Sequence, residues 1–240
     1  MTKQYNKTYL FGITLVATLG GLLFGYDTAV ISGAEKSLQA YLIEPLGLSA
    51  LVHGATVSSA LIGCIIGGIL SGFFSNRLGR RNTLLLASVL FFISALGSGY
   101  PEALFFPQGE VSLALLITFN IYRILGGIGV GLASAVSPMY ISEISPAEIR
   151  GRLVSFNQFA IIFGMLVVYF VNWSIARGQS IEWINAIGWR RMFASEAIPA
   201  SLFGILLLFV PETPRYLALV HQDEKALSVL TKINRSEETA

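Results

Sequence analysis

The chain has 240 residues, of which 54% are hydrophobic and 12% are charged, whereas soluble proteins average about 25% charged residues. A chain this apolar is not expected to fold with water on every side, and its formal net charge of +2 gives no indication of nucleic-acid binding. The single cysteine, Cys64, excludes an internal disulfide framework. The composition therefore indicates a membrane protein.

Six segments are apolar enough to cross a membrane as helices, since about 20 helical residues span the ~30 Å hydrocarbon core. A polar or charged loop bounds each of them, and together they predict an all-α membrane fold. In chain order the predicted spans are 9–33, 52–75, 83–100, 112–139, 153–173 and 190–210. We assign residues 1–211 to this six-span bundle and residues 212–240 to a cytoplasmic helical linker.

Lysine and arginine residues concentrate in every second loop of this arrangement. The basic regions include Lys7, Arg77, Arg80, Arg81, Arg150, Arg152, Arg215, Lys225 and Lys232, whereas the alternate loops carry Lys36, Arg177, Arg190 and Arg191. Because positively charged loops remain on the cytoplasmic side, both termini are predicted to be cytoplasmic. This orientation agrees with an even number of spans.

Three predicted spans contain an ionisable residue in an otherwise apolar run. Asp27 lies in the first span, Arg123 in the fourth and Glu196 in the sixth. A charge near the bilayer centre costs from about 2.5 to more than 10 kcal/mol, so it is retained where it pairs, lines a wet cavity or carries function. An acid–base–acid set at this depth is typical of a proton-coupled transporter.

The first and fourth spans also share a run of glycines close to their charge. Gly20, Gly21 and Gly25 precede Asp27, and the segment 126–131 contains four glycines. Three spans followed by three similar spans predict the inverted repeat from which many transporter halves are built. Taken alone, the glycines are explained by close helix packing in lipid.

Charged residues cluster at three predicted cytoplasmic helix ends: the segment 72–81 carries three arginines, and the segments 143–152 and 211–215 carry both acidic and basic residues. Such groups can hold helices together in one state and release them in another, although an exposed ion pair contributes only ~0–1 kcal/mol. The arginines are also explained as topology anchors. The candidate residues are Arg77, Arg80, Arg81, Glu143, Arg150, Glu212 and Arg215.

These motifs, in this order, resemble the amino-terminal half of a major facilitator superfamily sugar porter. The resemblance covers nearly all 240 residues and is carried by LVATLGGLLFGYDTAVISG, ASALIGCIIGG, YRILGGIGVGLAS, RGRLVSFNQFAIIFG and MFASEAIPA. It implies twelve spans in the whole protein, with a sugar site between two six-span halves. It further implies that Asp27 binds the proton, that Arg123 is its partner base, and that Glu196 is a second acid.

The resemblance also assigns Phe24 and Gln158 to the sugar site. A neutral sugar is recognised by hydrogen bonds and by ring packing, which suit an amide and an aromatic face. The first cytoplasmic motif departs from the usual pattern, since Asn76 stands where the family commonly has an aspartate. We expect a weaker charge pair at that position.

The resulting expectation is proton-coupled transport of a monosaccharide, a D-xylose-like pentose or a hexose, across the inner membrane by alternating access. Protons are the coupling ion, and we expect no other cofactor. The chain contains no hydrolytic triad, nucleotide loop or metal-ligand run, so we predict neither an enzyme nor a metal site. The expected partners are the sugar, the lipid bilayer, and either a carboxyl-terminal six-span half or a second copy of the chain.

Two other functions remain open at this point. A proton-independent sugar facilitator would share the loop motifs, but facilitators of this family usually lack an acid at the position of Asp27. A non-transporting half that needs a carboxyl-terminal half would account for the length of the chain.

Overall fold

The computed structural model describes residues 5–103 and 111–234, which form helices and no strand. Within these residues, five helices are long and apolar enough to cross a membrane. They are α1 (Lys7–Leu38), α2 (Ala50–Leu78), α3 (Arg80–Gly99), α4 (Leu113–Ile144) and α5 (Arg150–Ala176). A π-helical turn, Gln39–Ile43, extends α1.

The sixth predicted span, 190–210, is not one regular helix. It is formed by α7 (Trp189–Ala194) and α8 (Ala197–Leu207), and it is preceded by α6 (Ile181–Trp183) and a π-helical turn (Ile184–Gly188). The break at Ser195 lies four residues before Pro199, which has no N–H to donate to the Ser195 carbonyl. Ile198 donates to that carbonyl instead, at 3.2 Å. The sixth span is therefore helical, as predicted, but it is interrupted locally at Ser195, and proline is the cause.

Two short helices, α9 (Pro214–Leu219) and α10 (Asp223–Asn234), follow the bundle. The buried side of α10 presents Ala226, Val229 and Ile233 to the same hydrophobic cluster that contains Leu10 of α1. The backbone N–H of Asn6 donates to the Ile233 carbonyl at 2.7 Å. The predicted linker 212–240 is thus largely helical where it is described, and residues 235–240 lie outside the described residues.

The helix contacts follow the symmetry that an inverted repeat predicts. Helix α1 packs along α5, and α2 packs along α4. The first helix of each set of three therefore contacts the second helix of the other set. Helix α3 also packs on α4, as α7 and α8 pack on α1. These paired contacts agree with two three-helix repeats.

Glycines permit the closest of these contacts. A Cβ atom on Gly67 of α2 would overlap the carbonyl of Ile128, and one on Gly127 of α4 would overlap that of Ala60. At the α1–α5 contact, a Cβ on Gly25 would overlap the carbonyl oxygen of Ile161. Small residues let helices approach each other in lipid, where no hydrophobic force brings them together.

Replacing Gly67 with leucine is expected to separate α2 from α4, because the new side chain would meet the backbone of Ile128. Overpacking costs ~1–3 kcal/mol, so we expect the thermal unfolding midpoint of the purified protein to fall by roughly 2–12 °C. The matched control is Gly68→Leu on the same helix, since a Cβ at Gly68 meets nothing within 4 Å. Equal midpoints for the two variants would contradict the proposed contact.

Candidate functional site

The acid of α1 and the base of α4 form a buried ion pair. Arg123 Nη1 donates to Asp27 Oδ1 at 2.6 Å, and each side chain is 2% exposed. The Arg123 guanidinium also lies over the ring of Phe193, with Cζ 5.2 Å from the centroid. Its Nε is buried and has no hydrogen-bond partner among the described residues. The structure therefore brings together the two residues that the sequence places in separate spans.

Glu196 is the third member of this group and lies at the break in the sixth segment. It is 1% exposed, and its carboxyl group lies within electrostatic range of both Asp27 and Arg123. Neither carboxyl oxygen has a hydrogen-bond partner among the described residues. One guanidinium thus faces two carboxyl groups, so the cluster carries a net negative charge unless one acid is protonated.

Neighbouring residues shape the space around these charges. A Cβ atom at Gly126 would overlap Ser94 Oγ and would lie 3.8 Å from Asp27 Oδ1, so the glycine leaves room beside the carboxylate. The Ser195 hydroxyl donates to the Met192 carbonyl at 2.6 Å. The Tyr26 hydroxyl therefore donates to Ser195 Oγ, at 2.8 Å. This bond joins the chain neighbours of Asp27 and Glu196, and sequence reasoning did not predict it.

A cavity of about 390 Å³ between α1, α2 and α4 reaches the ion pair. Its lining includes Phe24 and Asp27 from α1, Cys64 from α2, and Arg123 from α4. Gln158 is exposed on α5 and does not line this cavity. Of the two residues assigned to the sugar site by resemblance, Phe24 therefore lines this cavity and Gln158 does not.

A second cluster of charges lies at the motifs that the sequence predicts to be cytoplasmic, and it is centred on Arg80. This residue is 6% exposed; its Nη2 donates to Glu143 Oε1 at 2.9 Å and its Nη1 to the Ser75 carbonyl at 3.1 Å. The other oxygen of Glu143 accepts from the Thr213 hydroxyl at 2.7 Å. These bonds join α2, α3 and α4 to Thr213, the N-cap residue of α9.

Glu212 caps the start of α3 from a distant part of the chain. Its carboxylate accepts the backbone N–H groups of Arg80 and Arg81, at 3.1 and 3.0 Å. The turn before α3 uses Gly79 at φ +93°, where a Cβ would overlap the Glu212 carboxylate. Burial raises the pKa of Glu212, while the backbone N–H bonds favour its ionised form.

The remaining predicted arginines divide between this cluster and the surface. Arg81 caps the end of α8, since its Nε and Nη2 donate to the carbonyls of Leu207 and Leu208 at 2.8 and 2.9 Å. Arg215 is 78% exposed and 3.8 Å from Glu143, so this contact contributes little. The two others are also exposed: Arg77, which lies over Phe73, and Arg150, which donates to the Ser145 carbonyl at 3.4 Å.

A third ion pair was missed by sequence reasoning. Arg190 Nη1 donates to Glu102 Oε1 at 2.5 Å, and Arg190 Nη2 donates to the Tyr41 hydroxyl at 3.0 Å. Both charged residues are buried, at 7% and 8% exposure. Arg190 was counted only as a loop charge, because no spacing in the sequence relates it to Glu102.

The chain matches the family model described as "Sugar (and other) transporter" over residues 13–240. It therefore belongs to this family, the sugar porters of the major facilitator superfamily.

Two curated relatives and one solved structure are similar to the chain. The D-xylose-proton symporter of Escherichia coli strain K12 is 58% identical over 97% of this chain and 50% of its own length. The arabinose-proton symporter of Bacillus subtilis strain 168 is 41% identical over 98% of this chain and 47% of its own length. The solved structure is the proton:xylose symporter XylE bound to 6-bromo-6-deoxy-D-glucose, with a TM-score of 0.91 and 57% identity over 95% of this chain and 50% of that one. The chain thus spans about half the length of the relatives that it matches.

Replacing Arg123 with leucine is expected to destabilise the protein more than Asp27→Asn does, because Arg123 is the base beside two buried acids. Removing one partner of a buried pair typically costs ~3–5 kcal/mol. The double variant Arg123→Leu with Glu196→Gln keeps the original net charge and should recover part of that loss. Thermal unfolding in detergent measures all three variants.

The matched control is Arg191→Leu, since Arg191 is exposed and lies over the Trp183 ring. We expect its unfolding midpoint to stay close to that of the unsubstituted protein. Identical midpoints for Arg123→Leu and Arg191→Leu would show that the buried pair does not stabilise the bundle.

Proposed function

We propose that the chain is the amino-terminal half of a proton-coupled monosaccharide transporter that works by alternating access in the inner membrane. The observation that carries this proposal is the buried Asp27–Arg123 pair beside a cavity, in a chain 58% identical to a D-xylose-proton symporter. D-xylose or a similar pentose is the proposed substrate, and a hexose is the alternative. Protons are the proposed coupling ion, with no further cofactor and no enzymatic activity.

Charge balance supplies the coupling step in this proposal. While Asp27 is ionised, Arg123 neutralises it across a 2.6 Å hydrogen bond. A proton that binds the Asp27 carboxylate removes its negative charge and frees the guanidinium to turn toward Glu196 or toward water. The low-dielectric surroundings strengthen this change, because charge interactions are weakly screened there. The proton leaves Asp27 on the cytoplasmic side, and the original pair forms again.

Sugar recognition is assigned to two surfaces of the half. Phe24 lines the same cavity as Asp27, so its ring can pack against a sugar close to the proton-binding group. Gln158 projects from the exposed side of α5. We assign it to a central cavity that a second six-span half would complete, where its amide can donate to and accept from sugar hydroxyls.

The cytoplasmic cluster is proposed as a gate. Arg80, Glu143 and Glu212 join the ends of α3 and α4 to the start of α9 through buried hydrogen bonds. A change of state that separates these ends would break several charge-assisted bonds together. Both termini are placed in the cytoplasm, and residues 212–240 form the proposed linker toward the second half.

Replacing Asp27 with asparagine is expected to abolish uphill sugar accumulation and to leave sugar exchange largely intact, because the amide cannot carry the proton. The test uses a completed transporter, in which the carboxyl-terminal half of the E. coli D-xylose-proton symporter follows Ala240. Proteoliposomes with an inward proton gradient measure accumulation of labelled xylose, and equilibrium exchange measures sugar binding and movement.

Glu35→Gln is the matched control, since Glu35 is an exposed acid on the same helix. We expect it to keep both activities. Accumulation by Asp27→Asn against the sugar gradient would remove Asp27 from the coupling step. Exchange without accumulation in the unsubstituted transporter would instead support a proton-independent facilitator.

The 240-residue chain alone is expected to insert in the membrane and not to transport sugar. Insertion depends on the apolar spans and the arginine-rich loops, whereas a cavity closed on both sides needs a second bundle. The exposed Gln158 and the half-length match to the relatives favour this non-transporting alternative for the isolated chain. Association of two copies would cover the exposed face.

The measurement is the uptake of labelled xylose by the purified chain in liposomes that carry an inward proton gradient. Its control is the completed transporter in the same vesicles. Uptake by the chain alone that an uncoupler abolishes would show that one half is sufficient, and the proposed need for a second half would be wrong.

A further inference from the structure

A separate set of polar side chains lies between α2 and α4, and the mechanism proposed above does not use it. Asn120 Nδ2 donates to the Leu116 carbonyl at 2.9 Å and to Thr56 Oγ1 at 3.4 Å. Asn120 Oδ1 and His53 Nε2 are both buried without a hydrogen-bond partner among the described residues. The two atoms belong to facing helices that otherwise contact each other through glycines and aliphatic residues.

The order of these groups along the helices follows from the helix register. Gly63 meets Ile124, and Gly67 meets Ile128, so α2 and α4 run in the same direction. Both helices begin at the predicted outer face. His53 therefore lies closest to that face, and the Thr56–Asn120 contact lies about one helical turn deeper.

The Asp27–Arg123 ion pair lies next to these polar groups, on the inner side of Asn120. Arg123 follows Asn120 by three residues on α4, so the two side chains lie on adjacent parts of one helix surface. Arg123 also lines the cavity beside Asp27, together with α2 residues that include Ala60 and Cys64. The polar groups thus lead from the start of α2 toward the proton-binding acid.

A buried polar atom without a partner costs free energy, and ordered water is the usual partner when protein groups are out of reach. His53 Nε2 can donate or accept according to its tautomer, while Asn120 Oδ1 accepts only. Water held beside these two atoms, at this end of the α2–α4 contact, would satisfy both and would place a proton carrier about one turn from Arg123.

We infer that His53 and Asn120 hold water on the outer side of the Asp27–Arg123 pair and that this hydrated step is the route by which the proton reaches Asp27. The inference rests on the proposed function. The proton passes from outer water along the bound water to the Asp27 carboxylate, and no covalent bond to the protein changes apart from the new O–H bond on Asp27. His53 acts here as a hydrogen-bonding group and does not need to change its charge.

Most other charged and titratable groups on the elements that pack against α2 lie away from this step. Arg123 lines the cavity together with Asp27, and Tyr122 packs beside Gly97 of α3 instead. The others lie toward the cytoplasmic end or in the π-helical turn after α1; they are Arg80, Arg81, Tyr140, Glu143 and Tyr41.

The experiment measures His53→Leu and Asn120→Leu in the completed transporter. A positioned proton-transfer group contributes ~100-fold or more, and a bridging water contributes less, so we expect proton-driven xylose uptake to fall about tenfold in each variant. Equilibrium exchange of labelled xylose should stay close to that of the unsubstituted transporter. His53→Gln keeps a side chain able to hold the water and should recover most of the uptake.

Ala55→Leu is the matched control, because Ala55 is exposed on the same turn of α2 as His53. It adds the same apolar bulk outside the polar set and should leave uptake unchanged. Native uptake in both leucine variants would overturn the inference. An equal fall in uptake and exchange would also overturn it, since that result shows a structural role alone.

A second measurement separates this inference from the proposed function. Infrared spectroscopy in heavy water follows exchange of the protonated Asp27 carboxyl, whose band is assigned by its loss in Asp27→Asn. If the completed transporter fails to accumulate xylose, the proposed function fails, and this exchange still decides the route. Slower exchange in His53→Leu than in Ala55→Leu supports the hydrated step, and equal rates exclude it.

Discussion

The buried hydrogen bond between Asp27 and Arg123 is the interaction on which the rest of the bundle depends. Two charges that are each 2% exposed must be paired in the hydrocarbon region, since a lone charge there costs ~2.5 kcal/mol or more. The pair joins α1 to α4 in the buried interior of the bundle. Glu196 of the sixth segment lies beside the same guanidinium. One positive charge therefore faces two acids and cannot fully neutralise both. This imbalance gives a proton an electrostatic reason to bind.

Close helix contact makes this burial possible. The glycines of α2 and α4 allow their backbones to approach, and Gly126 leaves space next to the Asp27 carboxylate. A larger residue at Gly67 or Gly127 would separate α4 from α2 and open the cavity beside Arg123. The helix break before Pro199 contributes in another way, because it places Glu196 at the end of one helix, beside the pair. The glycine contacts that bring these helices together therefore also keep the charged side chains buried.

The cytoplasmic cluster has a different physical basis from the central pair. Arg80 and Glu143 are buried beneath α9, whereas Arg77, Arg150 and Arg215 remain exposed. The buried members satisfy backbone groups at helix ends as well as each other, so they join several elements at once. The exposed arginines make few bonds of this kind. A charge cluster that appears uniform in the sequence thus contains two kinds of residue.

The sequence by itself determined the apolar spans, the three intramembrane charges and the sugar-porter family, because these depend on local composition and on motif order. The family resemblance already pairs Asp27 with Arg123, but only the tertiary structure decided the geometry and burial of that pair and the interruption of the sixth span at Ser195. The same holds for the exposure of Gln158 on α5, for the position of Phe24 beside the ion pair, and for the Arg190–Glu102 pair. These features arise from contacts between residues far apart in the chain. Hydrophobic periodicity reports which residues are apolar, but it carries no information about which helices meet or at what register.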